Sequence, residues 1–195
     1  MRVFAALPIP DDTRRGLTDF LSSLRRNHPD FRWVSPENLH ITLAFLGELD
    51  TFGLSLVEAA VSALAADASP PAIQFLGLKT FPAKREPSVL AVEIGKGADE
   101  LADLAADLES RLARAGAAAG YSFRAAPERR FTPHVTVARR GRSRLLLSPD
   151  DTDRIFSGEA LLGRVCVFSS ELRRRGAVYT ELTGCVFTGT GDTLP

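Results

Sequence analysis

Short apolar runs alternate with longer stretches of helical periodicity along most of the chain. Residues 3–7 form an apolar run ended by Pro8 and Pro10, which predicts a first strand. Asp11 or Asp12 can cap the helix that follows, whose apolar face is Leu17, Phe20, Leu21 and Leu24 and which His28-Pro29 closes. Residues 31–34 predict a short strand, with Trp33 as core or cleft wall, and 35–37 a turn. A strand over 39–46 is ended by Gly47, and a helix over 53–66 turns Val57, Val61 and Leu64 inward before Pro70-Pro71 breaks it. Strands are predicted over 73–78 and 89–94, with 80–87 as loop. Leu101, Leu104, Leu108 and Leu112 recur at helical spacing, predicting a helix over 98–115 with Gly116 as its C-cap. A strand over 131–138, a basic loop over 139–147, a short helix from Ser148-Pro149 and strands over 161–169 and 177–187 complete the pattern. Residues 188–195 are rich in Gly and Thr and read as a flexible tail.

Two of these strands carry the same polar residues. His40-Ile41-Thr42-Leu43 and His134-Val135-Thr136-Val137 share a His-x-Thr frame, and they hold two of the three histidines in the chain. Side chains at i and i+2 share one face of a strand. Each histidine therefore has a threonine hydroxyl beside it, while Ile41 and Leu43, or Val135 and Val137, point to a core. Each motif follows the same lead-in of strand, helix and link, which reads as an internal duplication. A pseudo-twofold arrangement of the halves would set the histidines face to face across a cleft between two lobes. The third histidine, His28, sits beside a proline in a polar link and reads as an ordinary surface residue.

Composition narrows the class. The 195 residues suit one large domain or two small lobes. No run of 18 apolar residues predicts a membrane span, and the N-terminal residues lack the pattern of a signal peptide, so the chain reads as cytoplasmic. Cys166 and Cys185 match no metal or redox spacing and read as buried, reduced thiols. A net charge of zero argues against broad wrapping of nucleic acid. Residues 122–145, however, hold seven arginines (124, 129, 130, 139, 140, 142 and 144) against one acid, Glu128. Arginine makes up 21 of the 24 basic residues, which base composition can explain; the missing acids point instead to a small anionic ligand near the second motif.

Two imidazoles across a cleft suit paired acid and base catalysis, because each titrates near neutral pH. The threonines can donate to oxygens of a tetrahedral anion, and Arg139 can add a charge-assisted bond. Such a set fits in-line displacement at phosphorus. Two histidines without patterned partners are too few for a usual zinc site. No Gly-rich phosphate loop is present, and Ser169-Ser170 lacks a nucleophile-elbow context.

The two motifs in their flanks, residues 38–47 (NLHITLAFLG) and 130–139 (RFTPHVTVAR), closely resemble those of the two-histidine (2H) phosphoesterases. Within them the chain resembles the bacterial and archaeal RNA 2′,3′-cyclic phosphodiesterases, long called 2′-5′ RNA ligases, over essentially residues 1–187. The opening residues 2–8, the late Ser170-Glu171-Leu172 and residues 176–179 also look like that family. The resemblance implies an α+β, bilobal fold in one domain, each lobe a mainly antiparallel sheet with helices on its outer face. It implies metal-independent, cofactor-free hydrolysis of a terminal 2′,3′-cyclic phosphate to a 2′-phosphomonoester, with reversible 2′-5′ ligation beside it. By motif position His40 and His134 are the acid–base pair, with His40 taken as proton donor and His134 as acceptor, although the residues support the pair and not the order. Thr42, Thr136 and Arg139 match the phosphate-binding positions.

Phe45 and Arg130 are candidate substrate contacts. Strict alternation from His40 puts Phe45 on the core face, while the resemblance favours base stacking. Arg130 is a phosphate contact or a salt-bridge partner. Tyr179 and Trp33 divide in the same way, with core preferred. The expected partners are RNA ends or nucleotides carrying the cyclic phosphate, bound by a monomer with no membrane and no obligate protein partner. The alternatives are a phosphodiesterase of 2′-5′-linked oligonucleotides or small cyclic nucleotides, and a module that binds RNA ends without turnover.

Overall fold

The computed structural model describes residues 1–82, 86–123, 131–142, 144–173 and 176–190. The chain runs β1 (Arg2–Pro8), α1 (Asp11–Asn27), β2 (Arg32–Trp33), a 3-10 turn (Pro36–Asn38), β3 (His40–Glu48), α2 (Thr51–Asp67), β4 (Ala72–Phe81), β5 (Val89–Ile94), α3 (Ala98–Ala119), β6 (His134–Arg139), α4 (Pro149–Thr152), β7 (Glu159–Leu161), β8 (Arg164–Arg173) and β9 (Gly176–Val186). The fold is α+β. The strands form one antiparallel path in the order β7-β4-β5-β6-β3-β1-β8-β9, with β2 on β6.

That order is symmetric about its middle. β3 and β6 are the paired centre, β1 and β5 flank them, and β8 and β4 come next. The two motif strands are therefore equivalent members of two half-sheets, joined where Ile41 pairs with Val135. The core lies on one face of this sheet. Val3, Ala5 and Leu7 of β1, Ile41 and Leu43 of β3, Leu90, Val92 and Ile94 of β5, and Val135 of β6 all enter it. The period-2 pattern leaves the opposite face of the same strands to His40, Thr42, His134 and Thr136.

The helices cover the core face and interlock the halves. Leu17, Leu21 and Leu24 of α1 and Leu101, Leu104, Leu108 and Leu112 of α3 are buried, as their spacing predicts. α1 follows β1 but reaches the second half: Phe20 packs on Phe156 with ring centroids 5.4 Å apart, and Thr13 donates to the Glu159 carbonyl. α3 follows β5 but packs on α2 and β3. Among the described residues, no helix is long and apolar enough to cross a membrane.

Several local expectations change. α3 runs past Gly116, which is buried against the Tyr121 carbonyl, and ends at Gly120 in the left-handed region (φ 63°). β4 continues through Phe81 into the stretch expected to be loop, because its ladder with β5 extends to Val89. Thr188 and Gly189 donate their amides to the carbonyls of Ala65 and Ala68 at the end of α2, while residues 191–195 of the expected tail lie outside the described residues. Cys166 is buried, and burial pushes its thiol up to about 12; Cys185 is half-buried rather than buried. Val165 pairs with Cys185 and Cys166 with Gly184, so the two free thiols face opposite sides of the sheet.

His28 is not an ordinary surface residue. Its ring stacks on Phe31 at 4.8 Å and its Nε2 lies 3.1 Å from Asp151 Oδ2. Its carbonyl accepts the Trp33 indole N–H at 2.9 Å. Burial pushes the Asp151 carboxyl up, but hydrogen bonds from Ser148 and His28 win and hold it below the usual carboxylate range. Sequence offered no sign of this, because the partner lies 123 residues away in the chain.

Candidate active site

The centre of the site is the β3–β6 pairing. Stepping the antiparallel register one residue either way from Ile41 and Val135 sets His40 opposite Thr136 and Thr42 opposite His134. Each histidine thus has one threonine two residues along its own strand and the other threonine across the ladder. The histidines are diagonal neighbours, a relation that places Cα atoms roughly 7–8 Å apart. One tetrahedral phosphoryl group fits between two rings at that spacing, with four hydroxyl and imidazole groups around it.

The ring orientations match. His40 Nδ1 lies 2.7 Å from the Asn38 carbonyl, and His134 Nδ1 lies 2.7 Å from the Thr132 carbonyl. A carbonyl can only accept, so Nδ1 carries the proton in each ring and Nε2 is left for chemistry. His40 Nε2 is 3.1 Å from Thr42 Oγ1. When His40 is neutral, the threonine hydroxyl is the donor in that bond.

The surroundings of the two rings differ. His40 is half-buried in an aromatic nest, with Phe4 at 5.1 Å, Tyr179 edge-on at 5.4 Å and Phe168 at 6.4 Å. This burial lowers the His40 pKa below the ordinary imidazole value; the Asn38 carbonyl opposes it, and the positive charges of Arg139 and His134 act with it. Tyr179, expected in the core, is instead part of this cleft wall. The reason is register: Ser170 pairs with Tyr179 and Phe4 with Phe168, which carries the cleft face across β1, β8 and β9.

On the other side, Phe81 packs on the His134 ring at 5.0 Å. Glu93 pairs across the ladder with His134 and holds an ion pair with Lys79, whose ammonium sits 5.9 Å from the Phe81 ring centroid. Lys79, Phe81 and Glu93 were not singled out in the sequence. Their alternation with the buried Leu90, Val92 and Ile94 was the available signal for Glu93 alone.

Phe45 overturns strict alternation. It is 72% exposed, on the cleft side, with its ring 6.1 Å from Phe4. In the β1–β3 ladder Ala5 pairs with Ala44 and Ala6 with Thr42, so Leu43 is an extra, unpaired residue. Such a bulge reverses the facing of the residues that follow it, here up to a second irregularity at Leu46. The second motif has the same device: Leu90 pairs with Ala138 and Ala91 with Thr136, so Val137 is extra. Ala138 then joins the core and Arg139 turns to the cleft, exposed. Its closeness to His40 is felt in that ring's lowered pKa. Arg130 lies outside the described residues.

Among the described residues, no group of three or more His, Cys, Asp or Glu side chains is placed to hold a metal ion. What the site does present is two oriented imidazoles, two hydroxyls, the Arg139 guanidinium and an aromatic wall.

Residues 7–91, which include the first His-x-Thr strand, match the family described as LigT like phosphoesterase. An RNA 2′,3′-cyclic phosphodiesterase of Archaeoglobus fulgidus is 31% identical over 93% of this chain and 98% of its own length. The chain belongs to the LigT-like phosphoesterases. Another relative of the same name, from Thermotoga maritima, is 28% identical over 97% of each chain. The crystal structure of TT0787 of Thermus thermophilus superposes with a TM-score of 0.81 at 27% identity, covering 97% of this chain and 99% of that one. This LigT-like chain thus shares its fold, over nearly its whole length, with a solved structure.

Proposed function

We propose that this protein is an RNA 2′,3′-cyclic phosphodiesterase that opens a terminal 2′,3′-cyclic phosphate to a 2′-phosphomonoester, using His40 and His134 and no metal. The observation that carries the reading is the crossed pairing of the two His-x-Thr strands, with both Nδ1 atoms held by backbone carbonyls. The activity named for the relatives supports it.

In the reaction, water attacks phosphorus while Nε2 of His134 takes its proton. The P–O3′ bond breaks and Nε2–H of His40 protonates the departing O3′, leaving the phosphate on O2′. Thr42 and Thr136 donate to the non-bridging oxygens, and Arg139 adds a charge-assisted bond where negative charge builds. His40 must hold a proton to act as the acid. Burial, and after it the Arg139 guanidinium, disfavour that proton. The anionic substrate supplies the opposing charge and raises the protonated fraction on binding. Phe45, beside Phe4, whose ring in turn meets Tyr179, offers the terminal base a stacking surface. With a 5′-hydroxyl in place of water at phosphorus, the same pair would form a 2′-5′ linkage. The reading carries with it a monomeric, cytoplasmic enzyme acting on RNA ends.

The test is incubation with an oligonucleotide ending in a 2′,3′-cyclic phosphate, with 2′- and 3′-phosphate products resolved. A 2′-phosphate formed equally with and without EDTA is expected. A 3′-phosphate product, no turnover, or inhibition by EDTA that added metal reverses would each contradict it.

A further inference from the structure

Arg139 has a neighbour that the motif does not name. β2 pairs with β6 so that Arg32 stands directly opposite Arg139, with Trp33 opposite Ala138. Opposed residues of an antiparallel pair share a face. Phe31 and Trp33 enter or pack on the core, so Arg32 between them projects to the cleft face, where it is exposed. β2 takes over the edge of β6 where β3 leaves it: β3 meets β6 at Val135, the Val34 amide donates to the Val137 carbonyl, and β2 covers residues 138 and 139. Arg32 thus lies three strand positions beyond the row of His40 and Thr136, about 10 Å along the cleft at ~3.3 Å per residue.

Like charges directly opposed across a ladder are destabilising, yet this pair is built in firmly. Arg32 Nε donates to the Arg140 carbonyl at 3.0 Å. Gly141 makes the close approach feasible, since a Cβ there would fall 1.8 Å from the Asp30 carbonyl oxygen. The Trp33 indole and the His28–Asp151 contact anchor the same segment. Nearby, Arg140 and Arg144 share Glu86 at 3.5 and 3.3 Å. Among the described residues, neither Arg32 nor Arg139 has an acidic side chain within salt-bridge distance. Two opposed guanidiniums with no acidic partner among the described residues, at one end of the proposed phosphate-binding cleft, call for an anion.

We propose that Arg32 forms, with Arg139, a second phosphate subsite that takes the phosphodiester adjoining the cyclic phosphate, so that the cleft selects an RNA strand over a mononucleotide. The inference rests on the phosphodiesterase reading above. A cyclic mononucleotide has no second phosphodiester and cannot use Arg32; a strand of two or more nucleotides can.

The experiment compares wild type, Arg32→Gln and Arg32→Lys on a cyclic mononucleotide and on a trinucleotide ending in a 2′,3′-cyclic phosphate. Arg32→Gln is expected to lower kcat/KM for the trinucleotide about tenfold more than for the mononucleotide, the order of one charge-assisted contact, with the loss in KM. The salt slope of log KM for the trinucleotide should fall by about 0.7, one phosphate contact on a single strand. Arg32→Lys, which keeps the charge, should retain most of the preference. An equal loss on both substrates, or no loss on the trinucleotide, overturns the subsite. A direct binding measurement with a labelled trinucleotide ending in a 2′-phosphate separates the two claims. Wild type that binds this strand through Arg32 but turns over neither substrate contradicts the phosphodiesterase reading alone. Active wild type whose binding ignores Arg32 contradicts the subsite alone.

Discussion

Phe45 and Arg139 occupy equivalent positions, each five residues beyond a cleft histidine and each turned into the cleft by a bulge at Leu43 or Val137. One backbone device is thus used twice to present different chemistry. On the His40 side it offers a ring beside Phe4; on the His134 side it offers a cation that reaches His40 electrostatically. The site therefore has unlike walls, aromatic on one side and charged on the other.

The exposed ring can be tested by truncation. Base–aromatic stacking is worth about 1–3 kcal/mol, so Phe45→Ala should raise KM for a cyclic-phosphate nucleotide about tenfold or more while kcat changes little. Phe45→Trp should keep KM near wild type. Because Phe45 is 72% exposed, the alanine variant should unfold in urea within about 0.5 kcal/mol of wild type. A large loss of stability with unchanged KM would return Phe45 to a packing role.

Arg139 should act on His40 as well as on substrate. Burial lowers the His40 pKa first, and the Arg139 charge adds to it. Removing that charge in Arg139→Met should move the His40 pKa upward in the free enzyme, read by NMR titration of its ring. In wild type, one limb of the kcat/KM profile should then lie below pH 6.5, the ordinary imidazole value. A bell-shaped profile does not say which histidine gives which limb; the limb that moves up in Arg139→Met is the one from His40. Activity in this variant should fall on the order of 10²-fold, as for loss of one oxyanion donor. A His40 titration that stays put or moves down contradicts the electrostatic link.

Glu93 pairs with His134 and is held by Lys79. Lys79→Met leaves an unmatched carboxylate beside the anion site. Both side chains are more than a third or about a third exposed, which screens the effect, so KM should rise only several-fold. Adding Glu93→Gln to Lys79→Met should return KM toward wild type. If the second substitution restores nothing, the ammonium acts on the substrate directly and not by masking Glu93.

The periodicity of the chain was enough to find nearly every strand and helix, because burial here follows simple i, i+2 and i, i+4 rules. The duplicated His-x-Thr strands likewise pointed to the pair at the centre of the sheet. Three things were not legible. Bulges depend on the partner strand, so nothing around Leu43 or Val137 marks the reversal that exposes Phe45 and Arg139. Long-range contacts such as His28 with Asp151 have no local signature. The apposition of Arg32 and Arg139 depends on a two-residue strand whose partner lies more than 100 positions away. Each of these is a property of pairing, and a single strand read alone does not contain it.

The most direct measurement is the single-turnover rate on a 2′,3′-cyclic phosphate for wild type, His40→Ala, His134→Ala and the double variant. Each proton transfer is typically worth about 10²–10⁴-fold, so each single variant should lose at least about 10²-fold while still binding a 2′-phosphate product. Residues acting as one unit are non-additive, so the double variant should be little worse than the poorer single one. Near-wild-type turnover in either single variant would contradict paired catalysis by His40 and His134.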